Sequence, residues 1–281
     1  MNNIKNEVDV MNNQPIGFLD SGVGGLTVVR EALKQLPNET VYYVGDTARC
    51  PYGPRPVDQI KEFTWDMVRF LLKQDVKMIV IACNTATAVA LEEIKEALDI
   101  PVVGVIVPGS RAALRETRNG RIGIIGTVGT INSEEYTKEI KRKSLDVDVL
   151  GLSCPKFVPI VESHEYQSDI AKKVVNETLS HFNASNIDTL VMGCTHYPLL
   201  KPFIKEAVGE QVKLIDSGAE TVTEVSVLLD YYDISASPNS DKKEHRFFTT
   251  GSVRNFETIS SDWLPIQDIS VEHVDITDIG D

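Results

Sequence analysis

The sequence predicts an α/β protein of two similar parallel-sheet α/β domains, related by an internal pseudo-repeat, with a shared site in the cleft between them. Three observations carry this expectation. Short apolar, β-branched runs alternate with longer stretches of helical periodicity along the chain, as in βαβ crossovers and helix-covered parallel sheets. The alternation restarts near residue 121. Landmarks also recur at a nearly constant spacing: Ile16-Gly17 with Ile122-Gly123 at an offset of 106, Cys50-Pro51 with Cys154-Pro155 at 104, and Cys83 with Cys194 at 111.

The elements follow in order. Residues 16–19 read as a buried strand, and residues 26–36 as a helix with apolar positions at 26, 29, 32, 33 and 36 and a proline after it. Residues 41–44 are a second strand. Residues 58–74 place Ile60, Phe63, Met67, Val68, Leu71 and Leu72 on one helical face. A strand at 78–82, a helix at 85–98 and a strand at 102–107 complete the first set. In the second set, residues 121–126 are a strand, and 133–143 a helix with Glu134 and Glu135 at its positive end. Strands at 147–150, 189–192 and 212–215 alternate with helices at 169–182 and 198–208, the latter starting on a proline that needs no N–H partner there. A helical stretch to Tyr232, a polar loop at 235–244 and a strand at 246–250 then return the chain to the first domain. The expected division is a disordered N-terminal extension at 1–14, a first domain of 15–107 plus 217–281, and a second of 108–216.

Bulk properties narrow the function. The chain has 281 residues, 42% hydrophobic and 25% charged, the profile of a soluble globular protein. Its net charge of −13 argues against nucleic acid as a partner. No apolar stretch approaches the roughly 20 residues that span a bilayer, and residues 1–10 do not read as a signal peptide; no membrane partner is expected. Four cysteines without a Cys-x-x-Cys pair speak against a disulfide scaffold, a zinc ribbon or a thioredoxin-type site, and fit a cytoplasmic location.

The residues with chemical potential cluster at strand ends. A lone cysteine after a buried strand is ordinarily a small apolar filler. Cys83 and Cys194 differ in three ways: each is followed by polar residues, each lies where a helix is expected to begin and to favour a thiolate, and they correspond across the repeat. Asp20 ends the first strand and leads into Ser21-Gly22-Val23-Gly24-Gly25, where it caps a helix or faces the cleft. The glycines do not form a full dinucleotide fingerprint. His196, two residues after Cys194, is placed to receive or supply a proton. Glu162 is a weaker candidate, and an exposed loop carboxylate is the more ordinary reading of it. Cys50 and Cys154, each before a proline, read as structural.

The stretches Gly17-Phe-Leu-Asp-Ser-Gly-Val-Gly-Gly25, Gly45-Asp-Thr-Ala-Arg-Cys-Pro-Tyr-Gly53, Ala82-Cys-Asn-Thr-Ala-Thr87 and Gly193-Cys-Thr-His-Tyr-Pro198 closely resemble the glutamate racemase family of the cofactor-independent aspartate/glutamate racemase superfamily. Leu214-Ile-Asp-Ser-Gly-Ala-Glu-Thr221 and Thr249-Thr-Gly-Ser252 are similar to it as well. The resemblance implies interconversion of L- and D-glutamate, with D-glutamate supplied for peptidoglycan, no cofactor, no metal and a homodimer. It places the acid/base pair on Cys83 and Cys194, with Asp20, His196 and, less directly, Glu162 assisting. Substrate contacts fall on Asp20, Ser21, Tyr52, Gly53, Asn84, Thr85, Thr195 and His196, with Thr127 and Thr130 as further pocket positions. An aspartate or hydantoin racemase is the nearest alternative; a two-lobed binding protein and a thiol-redox protein are alternatives from other classes.

Overall fold

The computed structural model describes residues 12–237, 244–266 and 269–277. Its elements begin β1 (Ile16–Asp20), α1 (Leu26–Gln35), β2 (Val41–Gly45), α2 (Val57–Lys73), β3 (Met78–Ile81), α3 (Asn84–Ala97), β4 (Val102–Gly104) and α4 (Ile106–Glu116). The script then repeats as β5 (Arg121–Gly126), α5 (Val128–Ser133), α6 (Glu135–Lys143), β6 (Asp148–Ser153), α7 (Phe157–Glu162), α8 (Asp169–Leu179), β7 (Thr189–Gly193), α9 (Lys201–Val208) and β8 (Lys213–Asp216). Helix α10 (Ser217–Tyr231), β9 (Arg246–Thr249), α11 (Val253–Trp263) and β10 (Val271–His273) follow.

Two sheets form, in the orders β10-β9-β2-β1-β3-β4 and β6-β5-β7-β8, and every pairing is parallel. The orders β2-β1-β3-β4 and β6-β5-β7-β8 are the same script run twice, as the expected pseudo-repeat requires. Strands β1, β3 and β7 are buried along their whole length. Central strands covered by helices on both faces need such continuous apolar runs. Strand β6 lies at an edge and is largely exposed, with Leu150 among its outward residues. One apolar cluster unites Val23, Leu26 and Phe256 of the first lobe with Val158, Met192 and Tyr197 of the second, so the lobes share a core beside their cleft.

The structure corrects several boundaries. The expected strand at 102–107 pairs only over Val102–Gly104; the chain then turns into α4, whose Pro108 sits in the first turn, where its missing N–H costs nothing. The helix expected at 133–143 starts later, because Glu134 adopts a left-handed conformation (φ 58°) that separates α5 from α6. Helices α4, α5, α7 and α11 and strand β10 were not anticipated. Of the expected extension at 1–14, residues 1–11 lie outside the described residues, as does most of the polar loop at 235–244. Residues 12–14 are placed: the Lys77 ammonium donates to the Asn12 carbonyl at 2.6 Å.

Lys77 is a structural centre of its own. Its Nζ also donates to the Ile234 carbonyl (2.6 Å) and pairs with Glu39 (2.7 Å), both side chains being almost wholly buried. Removing one member of a buried pair strands the other charge at a cost of about 3–5 kcal/mol. Lys77→Ala should therefore lower the denaturant-measured stability by that order, and Lys77→Met with Glu39→Leu should recover much of it. A loss below 1 kcal/mol in the single variant would mean the pair is not isolated from water.

Candidate active site

The cleft is built at the carboxyl ends of the strands, where open parallel sheets bind ligands. Asp20 ends β1, and the turn after it carries Ser21 and the glycines. Cys83 follows β3 as the cap of α3, its sulfur accepting from the Ala86 N–H at 3.5 Å. Thr127 follows β5 and caps α5 through the Thr130 N–H. Cys194 follows β7. The segment beyond it is a short 3-10 turn, Tyr197–Leu200, before α9, so no α-helix starts at Cys194.

A cavity of about 20 Å³, the space of one water molecule, lies between the lobes. Cys83 and Cys194 both line it, with Ser21, Asn84, Thr195 and His196. Tyr52, Gly53, Thr85 and Thr127 complete most of the wall. Asp20, Thr130 and Glu162 stand behind that wall. Cys50 and Val158 also line it, and sequence reasoning did not assign either. Cys50 corrects the structural reading; its signal was its place beside Tyr52-Gly53. Val158 carries no chemical signal. Cys154 is buried in the core, its thiol directed at the Leu152 carbonyl at 3.7 Å. All four cysteines are free.

Polar contacts across the cleft hold the lobes together. The hydroxyls of Thr85, Thr127 and Thr130 form a triangle with sides of 2.9, 3.2 and 3.1 Å. The Gly129 N–H donates to the Gly53 carbonyl (3.0 Å), and Thr27 Oγ1 to the Thr195 carbonyl (2.8 Å). Tyr136 donates to Asn84 Oδ1 at 2.7 Å. The other end of that amide, Asn84 Nδ2, is buried without a hydrogen-bond partner among the described residues. A buried orphan donor in a cavity wall is poised for an acceptor such as a carboxylate.

The two thiols have different surroundings. Cys83 donates to Ser21 Oγ at 3.5 Å. Burial, reinforced by the Asp20 charge, pushes its pKa up to about 12, outweighing the helix-end N–H that was expected to lower it. Asp20 makes no hydrogen bond to Cys83 among those described. Its carboxylate accepts from the Gly22 N–H (3.0 Å) and Thr195 Oγ1 (3.3 Å). Burial raises the Asp20 pKa despite the His196 charge and those donors.

Cys194 instead meets His196 Nδ1 at 3.8 Å, and His196 Nε2 meets Glu162 Oε1 at 3.1 Å. Burial favours a neutral imidazole, but Cys194 and Glu162 outweigh it and raise the His196 pKa to about 10. Burial likewise pushes Glu162 up, yet hydrogen bonds from His196 and Cys50 hold it below its usual range. The two partners of His196 therefore favour the protonated imidazole. Because its folded pKa lies above its unfolded one, its contribution to stability is full below pH 6.5 and is lost as pH rises towards about 10. In chemical unfolding across this range, His196→Gln should remove that component of the decline. An unchanged slope would contradict the imidazolium.

A larger cavity of about 600 Å³ lies between α3, the β4 region and α10. It contains no thiol, and its Lys77 is already engaged by Glu39 and two carbonyls. The small cavity is the one where nucleophiles, an imidazolium and an orphan amide converge. No group of three or more His, Cys, Asp or Glu side chains among the described residues is placed to hold a metal ion. No described helix is long and apolar enough to cross a membrane.

The chain is similar to known proteins throughout this region. The family model for Asp/Glu/hydantoin racemase matches residues 20–225. The glutamate racemase of Carnobacterium sp. (strain St2) is 60% identical over 265 residues, covering 94% of this chain and 99% of that protein. Among solved structures, glutamate racemase isoform RacE1 from Bacillus anthracis superposes with a TM-score of 0.91 at 46% identity, over 95% of this chain and 99% of that one. The glutamate racemase of Francisella tularensis, solved in complex with D-glutamate, gives a TM-score of 0.87 at 35% identity, over 94% and 98%. With two parallel-sheet lobes closing over two strand-end thiols, and with identity at this level along nearly the whole chain, the protein belongs to the Asp/Glu/hydantoin racemase family and, within it, to the glutamate racemases.

Proposed function

We propose that the protein interconverts L- and D-glutamate by two-base proton transfer at the α-carbon, with Cys83 and Cys194 as the two bases. The observation that carries this reading is that thiols from equivalent positions of the two lobes open onto one cavity. Racemisation takes a proton from one face of the α-carbon and returns one to the other. One thiolate removes the proton, the C–H electron pair passes into the adjacent carboxylate, and the opposite thiol protonates the carbon. Afterwards the first sulfur is a thiol and the second a thiolate, and the reverse reaction restores them.

The carbanion is the high point of this path. Donors aimed at the α-carboxylate lower it most, because their hydrogen bonds strengthen as the group becomes enolate-like. Asn84 Nδ2 and the Thr85 hydroxyl are the donors, with Ser21, Tyr52, Gly53, Thr127, Thr130 and Thr195 shaping the rest of the pocket. His196, held by Glu162, sets a positive charge beside Cys194 to balance a thiolate there. Asp20 acts from behind the wall by ordering the Ser21-Gly22 turn and Thr195. No lysine among the described residues lines the cavity, and the carbanion relies on these hydrogen-bond donors. A cavity of single-water size does not hold glutamate, so substrate entry requires the lobes to part.

The test is α-deuterium uptake in heavy water, followed separately in L- and D-glutamate. Uptake into both with loss of optical rotation is expected, and binding without uptake would leave only a two-lobed binding protein. Aspartate as substrate in the same assay separates the nearest alternative. The reading places the protein in the cytoplasm as a homodimer, supplying D-glutamate for peptidoglycan. Restored growth of a bacterium that needs external D-glutamate, and light scattering at several concentrations, test these points.

A further inference from the structure

We propose that Cys50 is a positioning residue for this reaction: from the first lobe, its thiol holds Glu162 of the second lobe against His196 when the cleft is closed. The inference rests on the two-thiol reading above and adds a third sulfur to it.

Cys50 lies in the loop after β2 and lines the same cavity as Cys83 and Cys194. Its Sγ donates to Glu162 Oε1 at 3.3 Å, and that same oxygen accepts from His196 Nε2 at 3.1 Å. The other imidazole nitrogen meets Cys194 Sγ at 3.8 Å. A continuous chain thus runs from a first-lobe thiol to the reacting thiol of the second lobe. Burial and the Glu162 charge push the Cys50 thiol upward, which keeps it in the S–H form that donates. It is therefore a donor and not a nucleophile.

Two further observations fit this role. The Glu162 side chain is 35% exposed whereas His196 is 3% exposed, so burial alone does not fix the carboxylate. A second partner on Oε1 does. The junction also occupies space left by a missing side chain: a Cβ on Gly22 would stand 2.9 Å from Cys50 Sγ and 3.4 Å from Glu162 Oε1. Because Cys50 and Glu162 belong to different lobes, their contact exists only when the lobes meet. Closure is thereby transmitted to the imidazolium. The ionisable groups facing His196 are Cys194 from its own segment, Glu162 from α7 and Asp20 from the end of β1.

The experiment uses the full chain with Cys50→Ala and Cys50→Ser. It has two readouts: an NMR titration of the His196 imidazole, assigned with His196→Gln, and α-deuterium uptake into each recovered glutamate enantiomer. The enantiomer facing Cys194 is the one whose uptake Cys194→Ser removes. With alanine, the His196 midpoint should fall by about one pH unit, a tenfold change in its protonation ratio. Uptake into the enantiomer facing Cys194 should fall correspondingly, with the other little changed. Serine, whose hydroxyl still donates to the carboxylate, should preserve both readouts. An unmoved midpoint in Cys50→Ala, or an equal loss for both enantiomers that serine does not rescue, overturns the proposal. If the wild type takes up no deuterium, the two-thiol reading fails while the titration still decides the Cys50 contact.

Discussion

Cys83→Ala and Cys194→Ala should each abolish racemisation in both directions. General acid–base groups contribute about 10²–10⁴-fold each, and in the proposed mechanism the missing sulfur is the base on its face of the substrate. The residual rate should fall at least 10³-fold. Cys→Ser variants are more informative, because a hydroxyl keeps the shape of the site but is a poor base. Each serine variant should retain, at best, proton abstraction from the enantiomer whose α-hydrogen faces the surviving thiol. Uptake of deuterium into that enantiomer without racemisation is the expected signature. Full two-way turnover by either alanine variant would sink the two-thiol mechanism.

Gly24→Ala should cost about 10²-fold or more in kcat/KM, the scale on which a misplacement of about 1 Å acts. Gly24 sits in the turn between β1 and α1. An added Cβ there would lie 2.3 Å from Thr195 Oγ1 and 2.5 Å from both His196 Cε1 and His196 Nδ1. Thr195 and His196 are buried, so neither has free space to yield. Gly24 is not among the residues with positive φ, so alanine meets no backbone strain. The penalty falls on lobe closure and on the imidazole beside Cys194. Kinetics combined with small-angle scattering check this: the variant should remain folded, more open and slow. Wild-type turnover would show that the reactive state does not bring the lobes this close.

The two halves of the site are not equivalent, and this bears on both predictions. Cys83 is deeply buried beside a hydroxyl and a buried carboxylate, which keeps it a thiol. Cys194 faces an imidazolium anchored by Glu162. The repeat supplied the positions, while different neighbours assign them different electrostatics. Cys83→Ser and Cys194→Ser should therefore differ in their pH profiles.

Much of this was legible in the chain. The alternation of short apolar runs and helical faces is a local property of the residues, so the α/β class and the twofold script followed from it. So did the strand-end placement of Asp20, Cys83 and Cys194. The short helices α5 and α7 were missed because six residues are too few to show a period. The pKa of Cys83 was misjudged because a helix end is local, whereas burial depends on residues far away in sequence.

The sequence by itself determined which chemical groups end which strands, since side-chain period and β-branching act over a few residues. Only the tertiary structure decided what those groups touch. Glu162, read first as an exposed loop carboxylate, became the anchor of His196. Cys50, read as structural, became part of the cavity wall. Asp20, read as a helix cap or a carboxylate facing the cleft, bonds to Gly22 and Thr195. Each of these depends on the approach of two lobes. That approach is set by the summed packing of many side chains, not by any segment alone.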